Sequence, residues 1–226
     1  DSDFWYLTGF DEPNAIALFL SHKSKGERFI LFVNPKEVNS EVWNGFRWGV
    51  EGAENIFKAE KAHSVDKFDE LLPSYLEGTE EIVFAVGKNP IIEKIILETW
   101  ANQLQNSSRI GFAPNSIKSP SIYLNAMRIL KSNYEIERMR EAVQISAEAH
   151  ELARNNISQK NNERQVQGLI EGFFLEKGAR GPAYNSIVAS GDNACVLHYT
   201  SNNSELKQGD LLLVDAGCSL NDYYNG

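Results

Sequence analysis

Residues 209–217 read GDLLLVDAG. A Gly-Asp turn signal precedes the apolar run Leu211–Val214, and the run delivers one carboxylate, Asp215, to the small residues Ala216 and Gly217. A short apolar run bounded in this way reads as a strand, with Leu211, Leu212, Leu213 and Val214 expected to be buried. A carboxylate ending such a strand must be paired, hydrogen-bonded or metal-bound, because an isolated buried charge is too costly. Ala216 and Gly217 leave room for backbone or a ligand to approach. From spacing alone, Asp215 is either a ligand or a carboxylate that caps a turn.

Two further β-rich runs lie upstream, SIVAS (186–190) and CVLHYT (195–200), with turn-forming SGDNA and SNNSELKQG as connections. Strict alternation in CVLHYT predicts Val196, His198 and Thr200 on one strand face. His198 is then either a hydrogen-bonded core histidine or a group that polarises a carbonyl or shuttles a proton. Before these runs, Ser132 and Glu135 make a capping-box pattern ahead of Ile136, Met139, Val143, Ala147 and Leu152. His150, inside that helix, reads as structural. A second helix is expected from about Asn162, with Val166, Leu169, Ile170, Phe173 and Phe174 on one face and Gly178 as its stop. Helices followed by antiparallel strands predict an α+β arrangement with helices on one face of a sheet.

The first half has another texture. FWYLTGF, AIALFL, RFILFV, EIVFAV and RIGFA read as strands, and roughly 37–48, 64–77 and 89–105 carry helical spacing. Alternation of the two predicts an α/β domain ending near Ser116–Pro120. His22 and His63 read as solvated loop histidines. The whole divides into domains 1–125 and 126–226.

Composition sets the limits. With 226 residues, 42% apolar and 11% aromatic, the chain can bury a real core. Twenty-two basic against 31 acidic residues leave a net charge of −9, which disfavours nucleic acid and anionic membrane surfaces as partners. No apolar stretch is long enough to span a bilayer. Residues 1–10 lack the basic start and apolar middle of a signal peptide and open as if within a strand, so residues are expected to be missing before them. Cys195 and Cys218 form no C-x-x-C pair and read as two buried free thiols in a reducing cytoplasm. H-E-x-x-H, G-x-S-x-G, a phosphate-cradling glycine loop and a zinc-type Cys/His cluster are all absent.

Five stretches in order carry a likeness: DSDFWYLTGF (1–10), EVWNG (41–45), AMRILKSNYEIERMR (126–140), YNSIVASGDNACVLHYT (184–200) and GDLLLVDAG. Together they resemble the bacterial aminopeptidase P (Xaa-Pro aminopeptidase) family over essentially the whole chain. The resemblance implies a creatinase-N-like α/β N-terminal domain followed by the start of an α+β pita-bread metallopeptidase domain. It implies release of the N-terminal residue from Xaa-Pro-Yaa peptides by a hydroxide bridging two divalent metal ions, usually manganese. Asp215 matches a metal ligand and His198 a histidine that contacts substrate beside the metals. Arg128 matches an arginine reaching toward the active site. Trp43 matches a tryptophan lining a neighbouring subunit's pocket, and Asp3 an aspartate at the oligomer interface. A homo-oligomer, dimer or tetramer, follows from the same likeness.

In the family, a second bridging aspartate, a histidine and two glutamates follow the D-A-G strand. In this register the bridging aspartate falls just after Gly226, and Asp222, ahead of Tyr223–Tyr224, reads as a turn residue. The chain as written is therefore expected to be a truncated segment with one of five metal ligands, unable by itself to hydrolyse peptides. Prolidase is the nearest enzymatic alternative. Non-catalytic pita-bread binding modules are the other, although they tend to lose the ligands and histidine found here.

Overall fold

The computed structural model describes residues 2–220. The expected turn at Asp222–Tyr224 lies outside the described residues. Two compact units divide the chain, Asp3–Ile129 and the residues from Leu130 onward.

The first unit contains α1 (Ser2–Thr8), β1 (Ile16–Phe19), β2 (Phe29–Val33), α2 (Val38–Asn44), α3 (Gly49–Asn55) and β3 (Lys61–Ser64). It continues with α4 (Phe68–Tyr75), β4 (Glu81–Val83), α5 (Pro90–Ile110), β5 (Ser116–Lys118) and α6 (Ser121–Ile129). Strand β2 is central, antiparallel to β1 and parallel to β3. Its sequence, FILFV, has no polar face, and the alternation of a strand sends successive side chains to opposite sides. Ile30 and Phe32 enter one core with Phe68, Leu72 and Ile96 from α4 and α5. Leu31 and Val33 enter another with Phe10, Ala53 and Ala62, and Phe4 and Trp48 pack against it. All four of those β2 side chains are 0% exposed. Helices thus cover both faces, the arrangement alternating elements imply.

Three local expectations are corrected. FWYLTGF begins as helix α1: the Thr8 hydroxyl donates to Phe4 O at 2.7 Å, Gly9 N–H closes onto Trp5 O, and Gly9 at φ 65° ends the turn. Strand preference reports fit to a pleated surface, and here Phe4 packs against the core from a helix. RIGFA begins in the last turn of α5, which Gly111 stops at φ 83°, and the strand comes after it as β5. His63 lies in β3, partly buried, with Nε2 2.6 Å from the Tyr75 hydroxyl, and is not a loop residue.

The second unit holds α7 (Asn133–Asn156), α8 (Glu163–Glu176), β6 (Gly181–Pro182), β7 (Ile187–Ser190), β8 (Leu212–Asp215) and β9 (Cys218–Ser219). The Ser132/Glu135 capping box is formed, and Asn162 caps α8 through Gln165 N–H at 3.0 Å. Ala142, Ile145, Ala149 and Ala153 from α7 meet Val166, Ile170 and Phe174 from α8, over Val188, Ala216 and Cys218 of the strand layer. Strands β7 and β8 pair antiparallel with Ile187 opposite Asp215, and β6 pairs antiparallel with β9. The helices cover one face of this layer. The other is open: Leu211 is 83% exposed and Leu213 42%, so the expectation that Leu211–Val214 are all buried is corrected. Cys218 is buried but Cys195 is exposed, against the expectation of two buried thiols.

CVLHYT is not a strand. A short 3-10 turn, Gly191–Cys195, leads into a turn at Val196–His198. The alternation predicted for His198 therefore does not exist, and the reason lies at the start of α8.

Candidate active site

Asp215 stands at the end of β8, exposed, where the pairing with Ile187 terminates. Its Oδ1 accepts a hydrogen bond of 2.6 Å from the Tyr184 hydroxyl. Burial, then the hydrogen bond to Asp215 and its negative charge, push the Tyr184 hydroxyl up to about 12. Tyr184 thus stays protonated at neutral pH and serves as a fixed donor that orients the carboxylate. Tyr184 opens the stretch YNSIVAS, yet nothing in its spacing marked it as a partner thirty-one residues away.

The backbone just past Asp215 is clamped to α7. His150 Nε2 lies 2.9 Å from Ala216 O, and because a carbonyl only accepts, that nitrogen carries the proton. Cys218 N–H donates to Ser146 Oγ at 3.0 Å. His150 is structural, as its helical setting implied, and its work is to hold the strand end.

His198 is exposed, and among the described residues its ring has no hydrogen-bond partner. Its chain neighbour is tied down. Glu163, the first residue of α8, is 0% exposed, and its carboxylate collects donors from across the loop. Oε1 accepts from Ser190 N–H (2.7 Å), Ser190 Oγ (2.8 Å) and Asn193 Nδ2 (3.1 Å). Oε2 accepts from the Tyr199 hydroxyl (2.8 Å) and Ser204 N–H (2.9 Å). Burial alone would raise the carboxyl's pKa, but the Ser190 and Ser204 amides with Asn193 and Tyr199 outweigh it and bring it down to about 2. These bonds draw residues 190–204 toward the start of α8 and away from a β ladder. Nothing in the sequence singled out Glu163, since an acid in the first turn of a helix is ordinary.

The other candidates lie in the first unit. The Arg128 guanidinium on α6 pairs with the Asp3 carboxylate on α1 and lies 5.8 Å from the centre of the Tyr6 ring. Trp43 on α2 is 87% exposed, beside Val42 at 76% and Phe46 at 60%. The structure thus joins Asp3 to Arg128 and Asp215 to Tyr184, whereas Trp43 and His198 stand in solvent.

Among the described residues, no group of three or more His, Cys, Asp or Glu side chains could hold a metal ion. Asp215 fits a hard divalent cation in kind, as an exposed carboxylate oriented by a neutral donor, but it is one donor.

Comparison with known proteins identifies the setting. Residues 1–84 match the aminopeptidase P N-terminal domain, and residues 137–225 match metallopeptidase family M24. Both halves of the chain thus resemble aminopeptidase P. Xaa-Pro aminopeptidase of Haemophilus influenzae is 39% identical over 223 residues, covering 99% of this chain and 49% of that protein. Aminopeptidase PepP of Pseudomonas aeruginosa superposes with a TM-score of 0.90 at 35% identity, over 98% of this chain and 50% of its own. A zinc-substituted aminopeptidase P of Escherichia coli in complex with product gives a TM-score of 0.88 at 34% identity, over 96% and 50%. The chain spans about half the length of the relatives it matches. Its fold is an aminopeptidase P N-terminal domain followed by part of the M24 pita-bread domain. Membership in a metallopeptidase family implies divalent metal ions.

Proposed function

We propose that the intact protein is a metal-dependent aminopeptidase that removes the N-terminal residue from peptides with proline in second position. The observation that carries this reading is likeness to a Xaa-Pro aminopeptidase across 99% of the chain. Asp215 would be one ligand of a pair of divalent ions, for which Mn²⁺ suits an oxygen-rich donor set. Bound metal would supply a water acidified enough to attack at neutral pH.

The chain's own residues have definable tasks. Tyr184 orients Asp215 through its 2.6 Å hydrogen bond. His198, exposed on its turn, is suited to donate a hydrogen bond to the scissile carbonyl oxygen as that oxygen gains charge. Arg128 and Asp3, paired on α6 and α1, and the exposed Trp43 would contribute to substrate binding in a homo-oligomer, dimer or tetramer. The free thiols of Cys195 and Cys218 accord with a reducing, cytoplasmic location. Among the described residues, no helix is long and apolar enough to cross a membrane.

The test is hydrolysis of Xaa-Pro-Yaa, Xaa-Ala-Yaa and Xaa-Pro by the intact protein with and without Mn²⁺. Metal-dependent cleavage of the first alone supports the reading. Cleavage of the dipeptide alone would make it a prolidase, and no cleavage of any would make it a binding module. In the active protein, His198→Ala is expected to lower kcat by about 100–1,000-fold, the cost of one lost oxyanion donor.

A further inference from the structure

We propose that Glu163 is the positioning residue for His198: a buried carboxylate at the start of α8 that holds the turn 196–198 in place through Tyr199. The proposal rests on the reading of His198 as a substrate contact.

Between β7 and β8, beyond Ser190, the described pairing is a single antiparallel bridge of Glu205 with Asn162, and His198 lies exposed in this segment. Its attachments converge on the first turn of α8. Besides the bonds into the carboxylate, Glu163 N–H donates to Ser204 O at 3.0 Å, so Ser204 is gripped from both sides. Leu206 N–H donates to Asn161 O at 2.9 Å, and Arg164 donates to Ser201 O at 3.0 Å. Those contacts would suffice to pin the loop ends.

Two contacts go further, into the middle of the segment. Tyr199, next in chain to His198, donates its hydroxyl to Glu163, and Asn193 Nδ2 lies within hydrogen-bond distance of both Glu163 and Tyr199 Oη (3.1 Å each). A carboxylate is needed because every group facing it is a donor, and only an acceptor-only side chain satisfies them all. Among the described residues, no lysine or arginine forms an ion pair with Glu163, so the anion is held by dipoles and by its place at a helix N-terminus. Glutamine keeps the shape but turns an NH₂ group toward at least one buried donor, so the turn should shift while the helix packing stays.

The experiment is a double-mutant cycle on the intact metal-loaded enzyme with a Xaa-Pro-Yaa peptide, read as kcat and KM. Glu163→Gln is expected to lower kcat about 10–100-fold, the scale of a misplaced reacting group, while adding less than about 3-fold in a His198→Ala background. Tyr199→Phe removes a single hydroxyl and should show the same dependence on His198 with a smaller loss, which keeps the test open if Glu163→Gln folds poorly. Hydrogen–deuterium exchange should quicken across 196–204 in both variants and stay unchanged in α7. Equal losses from both variants with and without His198, or no loss from either, would overturn the positioning role. If His198→Ala itself leaves turnover intact, the reading of His198 fails, and this proposal with it.

Discussion

At the scale of single residues, Tyr184 and Glu163 show how neighbours decide what a carboxylate does. Asp215 is an exposed acid with one neutral donor, whereas Glu163 is a buried acid surrounded by donors. Tyr184→Phe deletes the donor to Asp215 and is expected to weaken metal binding by the intact protein about 10–100-fold, measurable by metal titration against a chelator. For Glu163 the sign of the pH effect follows from a carboxyl lowered from 4.5 to about 2. Its stabilisation is complete above the ordinary carboxylate range and fades as pH falls from about 4.5 toward 2. Urea unfolding of the wild type and Glu163→Gln should therefore differ most at pH 7 and converge near pH 2. Asp215 drew notice in the sequence because an acid interrupts an apolar run. Glu163 did not, because an acid in the first turn of a helix is ordinary and its donors come from as far as Ser204.

At the scale of elements, caps and periodicity carried most of the prediction. The Ser132/Glu135 box starts α7 as its spacing implied, and Ser132→Ala is expected to cost about 1 kcal/mol, readable as a lowered urea midpoint. Strand β2 was legible because FILFV allows no exposed face, and β7 and β8 because apolar runs meet turn residues at their ends. The failures were FWYLTGF, RIGFA and CVLHYT, all aromatic or β-branched runs with strong strand preference. In each, hydrogen bonds other than a strand ladder settled the conformation: the Thr8 and Gly9 closures of α1, the end of α5 at Gly111, and the donors committed to Glu163. Strand preference is a statement about partners, and the partner is not in the run.

At the scale of the molecule, each unit has its own core. In the first, β2 feeds two hydrophobic clusters on opposite faces; in the second, α7 and α8 close one face of a small strand layer. A fragment spanning residues 3–129 is expected to fold alone, with dispersed amide resonances and a cooperative melt. A fragment spectrum typical of an unfolded chain would contradict that. Loss of the buried Phe32 ring, central to that core, should cost the same fragment about 3–5 kcal/mol as Phe32→Ala.

The sequence by itself determined the two-part architecture, the helix starts, the strand that delivers Asp215 and, through five ordered motifs, the family likeness. These are properties of local pattern, written within a few residues of where they act. Only the tertiary structure decided which groups face those residues: Tyr184 on Asp215, Arg128 on Asp3, His150 on Ala216, and the loop donors on Glu163. Hydrogen bonds and ion pairs are short-ranged in space and indifferent to separation along the chain, so a pattern read along the chain could name the acids but not their partners.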